Sequence, residues 1–399
     1  MTSDPASPQQ AATVVVFATR YPPAFRGGGP IRTLEALVLT SPPGYDVRVV
    51  TRDTDQGDHA QLAVDVDTWS QRDGISVRYA SVEKLRSLMS AMASARAHRP
   101  ELVYVNSFFD FHLSIVPQLL RKIGYLRSKR LLVAPRGEFG IAAIASKSRK
   151  KQLFLTLYRR LGLHRGVLWH ASSPAEKADI ERVWGSAAQV LVRENDTLLP
   201  VVSDRAGLHD NDELSPGPLS LISVGRIVEH KGLHLVMDAL SEAPGAVDLD
   251  VFGPAEDSAY LERCLRMVGK LPKQVSVRFH DSLPHEDVRS TMSGFDALVM
   301  PTAGENFGHV IAEALSVGCP IICSDTTPWS RTLAEGGGVV VPERTTESWR
   351  RALDEYVMAD PEERRRRRGL AADAYDRWKA QQAKPHVFDL VLAAPLIRS

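Results

Sequence analysis

The sequence predicts an α/β protein built as two doubly wound parallel sheets, and three observations carry that expectation. Short β-branched apolar runs alternate with longer amphipathic stretches almost throughout, the pattern of βαβ units feeding parallel sheets. The alternation lapses once, between about Glu194 and Pro218, and then restarts. A chain of 399 residues also exceeds what one hydrophobic core usually holds.

In the first half the strand candidates are TVVVFA from Thr13, DVRVVT from Asp46, ISVRYA from Ile75, LVYVN from Leu102, LLVAP from Leu131 and VLWHAS from Val167. Helical periodicity fills the gaps after Pro30, from Val82 to Ala97 and from Ser146 to Leu161. These elements complete one domain over residues 1–195. Asp, Asn, Ser, Pro and Gly gather in SDRAGLHDNDELSPGP, so residues 196–218 read as a linker. LSLISVGR at Leu219 opens a second set, continued by VDLDVFG, VSVRFHD, DALVMP, PIICSD and GGVVVP, for a domain over 219–375. The remainder, 376–399, ends in the apolar VFDLVLAAPLI; it is too short for another βαβ unit and is expected as a helix that packs back on the first domain.

Composition narrows the class of function. Forty-nine Lys and Arg face forty-eight Asp and Glu, a formal charge of +1, which argues against a dedicated nucleic-acid binder. A hydrophobic share of 44% and a charged share of 24% suit a soluble globular chain. The three cysteines, Cys264, Cys319 and Cys323, form no disulfide framework; the last two lie in an apolar run and read as core. No basic region with an apolar stretch behind it opens the chain and no apolar run reaches membrane-spanning length. The expected place is the cytoplasm, with a peripheral position at the inner face of a membrane as an added expectation.

Doubly wound sheets bind ligands beyond the carboxyl ends of their strands, and the chemistry-bearing residues follow strands here. DALVMP runs into TAGENFGHVIAEAL, with Glu305 at the turn, Gly308 where backbone approaches closely, and Glu313 after seven intervening residues. Backbone amides of Asn306 to Val310 would then be the donors of a helix N-terminus and an anion site. The carboxylates could accept hydrogen bonds from sugar hydroxyls; Glu at a helix start also simply complements the dipole, and Glu in mid-helix is commonly solvated. SVGRIVEHKGLHLVMDAL places Arg226 and Lys231 around another strand-to-helix junction. A planar donor fork and a point charge suit a pyrophosphate leaving group, though such cations also keep loops soluble. Gly27, Gly28 and Gly29 precede Pro30 at the opening of the first helix, a loop through which phosphate could approach but without dinucleotide-fingerprint spacing.

Taken together, Gly225, Arg226, Ile227, Lys231 and Gly232, then VFGPAE, then PTAGENFGHVIAEALSVGCPII with its Glu-x7-Glu, resemble the retaining glycosyltransferases of family 4, which have the GT-B fold. The resemblance runs from about Leu219 to Val341 and is looser in the first half, through Gly27 to Gly29 and SSPAEKADIERVWG. It implies two Rossmann-like domains facing across a cleft and hexosyl transfer from a nucleotide sugar, UDP- or GDP-linked, to a glycan, lipid-linked or small-molecule acceptor. Arg226 and Lys231 would hold the donor diphosphate and Glu305 would contact the transferred sugar. Asn306, Phe307, Gly308, His309 and Val310 would offer amides, Glu313 would hold the ribose, and Gly253 with Asp281 to Pro284 would surround the base. Gly28 and Gly29 join this donor set. Front-face attack, with the donor's phosphate accepting the acceptor proton, would need no protein nucleophile.

The chain departs from the family pattern at LLVAPRGEFG, where many members have His and this chain has Arg136, with Glu138 two residues on. Arginine cannot act as a base at neutral pH, so Arg136 is expected to bind the donor or an anionic acceptor, and Arg136 and Glu138 stand as acceptor-side candidates. No cofactor and no metal are expected. Asp-x-Asp pairs occur at Asp53 to Asp55, Asp65 to Asp67 and Asp248 to Asp250, but none in the strand-turn context of metal-dependent transferases. Two basic segments, Arg364 to Arg368 and the helix bearing Lys147, Arg149, Lys150, Lys151, Arg159 and Arg160, could meet anionic lipid, against the default of solvated helix faces. A sugar-nucleotide epimerase of the same fold would need acid and base groups instead, and a binding-only relative would have lost Lys231 or Glu305.

Overall fold

A computed structural model describes residues 11–145, 148–205, 217–382 and 384–393. Residues 206–216 of the expected linker therefore lie outside the described residues, as does Lys147. The chain divides into two compact units, one of Met1–Leu198 with Pro385–Ser399 and one of Leu199–Lys384.

The first unit carries an eight-stranded sheet in the order β3-β4-β2-β1-β5-β6-β7-β8. Its strands are β1 Ala12–Ala18, β2 Tyr45–Arg52, β3 Trp69–Arg72, β4 Ile75–Ala80, β5 Leu102–Asn106, β6 Arg130–Ala134, β7 Leu168–Ala171 and β8 Gln189–Val192. All pairings are parallel except β3 with β4. Helices α1 Gly29–Leu39, α2 Leu85–Ala97, α3 Val116–Lys122, α4 Ser148–Arg160 and α5 Pro174–Trp184 cover it. Because side chains alternate across a strand, β1 feeds two cores. Val15 and Phe17 meet α2, α4 and α5 on one face, while Val14 and Val16 meet α1 on the other.

The second unit has a six-stranded, all-parallel sheet in the order β11-β10-β9-β12-β13-β14. The strands are β9 Leu219–Val224, β10 Val247–Phe252, β11 Val275–His280, β12 Ala297–Met300, β13 Ile321–Ser324 and β14 Gly338–Val341. Helices α6 Leu233–Leu240, α7 Ser258–Val268 and α10 Thr346–Val357 pack on one face, and α8 His285–Ser293, α9 His309–Leu315 and α11 Pro361–Ala380 on the other. Cys264, Cys319 and Cys323 are buried free thiols in these cores, and burial pushes Cys319 and Cys323 up to about 12.

The boundaries are set by packing. The segment after Leu198 already lies on the second unit, where Ser203 donates its amide to Asp376 at 2.7 Å and Tyr375 donates to the Pro200 carbonyl at 2.6 Å. Helix α11 stays with that unit to its end. Only α12, Val387–Ala393, returns to the first unit, burying Val387, Phe388 and Val391 among Val14, Val16 and Tyr104. Strands β3 and β8 were not marked by the sequence pattern. Both are four-residue edge strands, and WSQR and QVLV are too short to show alternation.

Candidate functional site

In each sheet the chain builds outward from one central strand in one direction and then in the other. The crossing falls between β9 and β12 in the second unit and between β1 and β5 in the first. Loops leaving such paired strands diverge and leave a crevice.

In the second unit these loops hold the expected cations and carboxylate. Gly225 follows β9 with φ 152, and Gly253 follows β10 with φ 148. A Cβ on Gly253 would stand 2.0 Å from the Gly225 carbonyl oxygen, so glycine lets two neighbouring strand ends close together. Arg226, next along, donates to Glu256 at 2.9 Å, with both side chains well exposed. A single 3-10 turn, Glu229–Lys231, then places Lys231, and left-handed Gly232 starts α6. Lys231 Nζ donates to Glu305 Oε2 at 2.7 Å. The loops are also tied through their backbones, since the Ala303 amide donates to the His230 carbonyl at 2.7 Å. From the far side, the Thr326 hydroxyl donates to the Thr302 carbonyl at 2.8 Å and the Thr326 carbonyl accepts from the Glu305 amide at 3.2 Å.

His230 sits among these charges. Burial lowers its pKa first, and the Lys231 and Arg226 cations lower it further. The imidazole therefore adds no charge to the loop at neutral pH. Sequence reasoning passed over both His230 and Glu256; the one signal for His230 is its position beside Lys231 in EHKG.

The helix of the Glu-x7-Glu motif starts later than expected. Gly308, in the left-handed region at φ 81, caps α9, whose first residue is His309. The Asn306 amide is not an open helix donor: it donates to Glu305 Oε1 at 3.2 Å. The carboxylate thus engages Lys231 through one oxygen and its own loop through the other. Phe307 is buried, its carbonyl accepts from the Trp329 indole, and its ring meets His309 edge-on at 4.7 Å. Val310 packs half-buried on the core below. Glu313 is only 2% exposed, and its Oε1 lies 3.8 Å from His285 Nδ1 at the start of α8, just past Asp281 to Pro284. A carboxylate buried in the first turns of a helix is no solvated surface group.

In the first unit, the loop after β1 carries the glycines. Gly28 has φ 65 with open space where a Cβ would go, and Gly29 begins α1. This loop is held by Asp55, which is 5% exposed and accepts from the amides of Phe25 at 3.0 Å, Arg26 at 3.2 Å and Gln56 at 2.7 Å. Of the Asp-x-Asp pairs, then, Asp55 is a loop anchor. Asp250 accepts both nitrogens of the Arg278 fork at 2.7 and 2.9 Å, with Asp248 at 3.8 Å from the same group. Among the described residues no three His, Cys, Asp or Glu side chains converge to hold a metal ion.

Arg136 and Glu138 follow β6, and the structure spends much of their bonding capacity within the unit. Arg136, at φ 53, donates Nε to Asn106 at 2.8 Å and its terminal nitrogens to Asn195 and the Tyr104 hydroxyl. Such a triply engaged guanidinium is a strut between β5, β6 and the chain beyond β8. Glu138 accepts from the Ser107 hydroxyl at 2.6 Å and the amides of Phe108 at 2.6 Å and Phe109 at 3.1 Å. Burial pushes its carboxyl up, against the pull of these donors. Ser107 itself is held at φ 94. Glu176, from the SSPAEK segment, accepts from the Gly137 amide at 2.6 Å and from Ser172. The loops after β5, β6 and β7 are thus locked to one another by carboxylates turned inward, which sequence order alone does not reveal.

Residues 206–373 match the family model described as glycosyl transferases group 1. The chain is 29% identical over 176 residues to the lipopolysaccharide core biosynthesis glycosyltransferase LpsE of Rhizobium meliloti (strain 1021), covering 44% of this chain and 48% of that one. It therefore spans less than half the length of that relative. It is 28% identical over 163 residues to an alpha-D-kanosaminyltransferase of Streptomyces kanamyceticus, covering 41% of this chain and 42% of that one. The segment matched by the family model lies within the second unit, Leu199–Lys384. Among solved structures, sucrose-phosphate synthase from Thermosynechococcus elongatus superposes with TM-score 0.70 at 18% identity, covering 96% of this chain and all of that one, as 100%. Anabaena Alr3699/HepE, in complex with UDP and glucose, gives 0.68 at 16% identity, with 93% and 95% covered. These likenesses give the fold: two Rossmann-like α/β units of the kind found in GT-B glycosyltransferases.

Proposed function

We propose that the protein moves a hexose from a nucleotide-diphosphate sugar to a glycan, glycolipid or small-molecule hydroxyl, with retention of anomeric configuration and without a metal ion. The observation that carries this reading is the 2.7 Å pair of Lys231 and Glu305 at the crossing point of the second sheet. A lysine there can meet the charge that develops on a departing diphosphate, where electrostatic support counts most. The glutamate beside it, with one oxygen on the Lys231 ammonium, can turn toward sugar hydroxyls when phosphate takes over the cation. Arg226 would join Lys231 on the diphosphate by exchanging Glu256 for phosphate oxygens, and buried Glu313 would accept from the ribose.

In this reaction the bond from the anomeric carbon to the phosphate oxygen breaks and a bond to the acceptor oxygen forms on the same face. The acceptor's proton passes to the leaving phosphate, so no protein nucleophile or base is required. The acceptor is assigned to the first unit, near the loops after β1, β5 and β6. Arg136 serves there as the strut that shapes those loops, and Glu138 as their anchor. UDP is the first nucleotide to try, given that HepE is described with UDP and glucose.

Thermal-shift measurements with UDP-, GDP-, ADP- and TDP-sugars test the donor, because a ligand of the folded state alone raises the melting temperature. One nucleotide series should stabilise the wild type and fail to stabilise Lys231→Ala. A wild type indifferent to every series would sink the assignment. The anomeric coupling of the product, read by NMR, checks retention, and an inverted product would refute it.

A further inference from the structure

Charge is nearly balanced over the chain, but it is not evenly spread. From Phe111 to Ala175 there are thirteen Lys and Arg and a single acid, Glu138. That glutamate is turned inward onto Ser107, Phe108 and Phe109. The first unit therefore carries a strongly basic stretch within a protein of formal charge +1.

Helix α4 lies in this stretch and presents two unlike faces. Leu155 and Tyr158 are in the core. On the other side Leu153 is 72% exposed, Leu157 54% and Leu161 41%. Arg149, Leu153, Leu157 and Leu161 follow at four-residue steps, and Lys150 and Arg160 stand seven residues from Leu157 and Leu153, so all six share one face. Arg149, Lys150 and Arg160 are exposed. The surface continues past the helix. Lys122 donates to the Leu161 carbonyl, which brings the end of α3 alongside, and Ile123 there is 74% exposed.

The arginine run of α11 shows what a basic segment used internally looks like. Arg364 pairs with Asp296 at 3.3 Å, Arg366 and Arg367 pair with Glu363, and Arg368 donates to the carbonyls of Phe295 and Ser293. Among the described residues, Arg149, Lys150 and Arg160 of α4 make no ion pair with a carboxylate.

We infer that the α4 face, with Leu153, Leu157 and Leu161 set among Arg149, Lys150 and Arg160 and extended by Ile123, docks the protein on a membrane surface rich in anionic lipid. Exposed leucines gain nothing from a purely polar polyanion, whereas at a bilayer they enter the acyl boundary while the flanking cations meet the headgroups. A convex helix face of this kind suits a fluid surface. The inference does not rest on the transfer reading, because vesicle binding needs no donor or acceptor.

Flotation of the full chain with phosphatidylcholine vesicles, with and without phosphatidylglycerol, tests it. Binding should require phosphatidylglycerol and weaken as salt is raised. Lys150→Glu with Arg160→Glu should weaken it about tenfold or more, and Leu153→Ser with Leu157→Ser also about tenfold or more. Leu157→Trp gives a second readout that leaves the face apolar, an emission blue-shift over wild type when anionic vesicles are added. No binding by the wild type, or no shift from the new tryptophan, would overturn the inference. So would charge reversals that abolish binding while the leucine variant binds unchanged, which would mark the face as a site for soluble polyanions instead.

Discussion

Lys231 and Glu305 lie 74 residues apart in sequence yet share a 2.7 Å hydrogen bond, because β9 and β12 are neighbours where the second sheet reverses its order. Neither side chain is deeply buried, at 24% and 22% exposure, so the pair stands at the mouth of its crevice. If the two act as a unit, Lys231→Ala and Glu305→Ala should each lower kcat/KM by about a hundred- to a thousandfold. The double variant should lose much less than the product of those factors, since either single change already breaks the pair. Steady-state kinetics on the four proteins measures this directly. Losses that multiply would mean that the two residues serve the substrate independently.

Two glycines that look alike in sequence should behave differently. At Gly253 a Cβ would meet the Gly225 oxygen at 2.0 Å, and that atom belongs to backbone at a strand end that cannot easily yield. Gly253→Ala should therefore destabilise the second unit by about 3 kcal/mol or more. Gly28 has open space around it, and at φ 65, ψ −133 an alanine there would carry backbone strain alone, so Gly28→Ala should cost less than Gly253→Ala, about 1–3 kcal/mol. Urea titrations compare the two, and an equal cost would contradict the geometry.

The second unit was legible in the sequence because its motifs are local. A strand, a glycine and a charged residue lie within a few positions, and the sheet order does the rest. The first unit was less so. In the sequence Arg136 and Glu138 stand as acceptor-side candidates, and nothing near them there shows the partners they have within the unit. Those partners, Asn106, Asn195 and the backbone of Phe108 and Phe109, arrive from three other strand ends. The edge strands β3 and β8 escaped for a related reason, since edges need no apolar alternation to be held by one neighbour. The start of α9 at His309 follows the left-handed Gly308, and the Asn306 amide before it donates to Glu305 instead of opening the helix.

Asp55 should matter to function without touching substrate. Its carboxylate draws in three backbone amides and so fixes the loop that leads to Gly28. Asp55→Ala leaves those donors unpaired, at about 1–3 kcal/mol in all. The expected result is a rise in KM for donor or acceptor with the melting temperature lowered by a few degrees and kcat less affected. Faster amide exchange at Phe25 and Arg26 would separate loop release from general unfolding. Unchanged exchange there would show that Asp55 is not the anchor.

Chelation should leave transfer intact. The carboxylates that most resemble a metal pair, Asp248 and Asp250, are already matched by Arg278, with His280 also on Asp250. Hydrogen bonding to Arg278 is the main reason the Asp250 carboxyl is held below its ordinary range. A metal there would have to displace a bidentate guanidinium. Rates measured with EDTA and with added manganese should agree; loss with the first and recovery with the second would overturn the metal-free reading.

Acid should weaken the first unit well before carboxylates begin to protonate. His170 is fully enclosed between the Tyr104 hydroxyl and the Arg193 carbonyl. Burial, and then the Arg136 cation, lower it from 6.5 to about 3. His386, whose ring bonds the Leu37 carbonyl, is also lowered by burial. For such groups the unfolded chain binds a proton that the folded one refuses. Their stabilisation is complete above the unfolded value near 6.5 and is lost as pH falls from there toward the folded value. Each fully titrating histidine should remove about 1.4 kcal/mol per pH unit in that window. Urea midpoints between pH 6.5 and 4.5 should therefore fall steeply, and His170→Gln, although less stable at neutral pH, should show a shallower fall. A variant with the wild-type slope would place the acid sensitivity elsewhere.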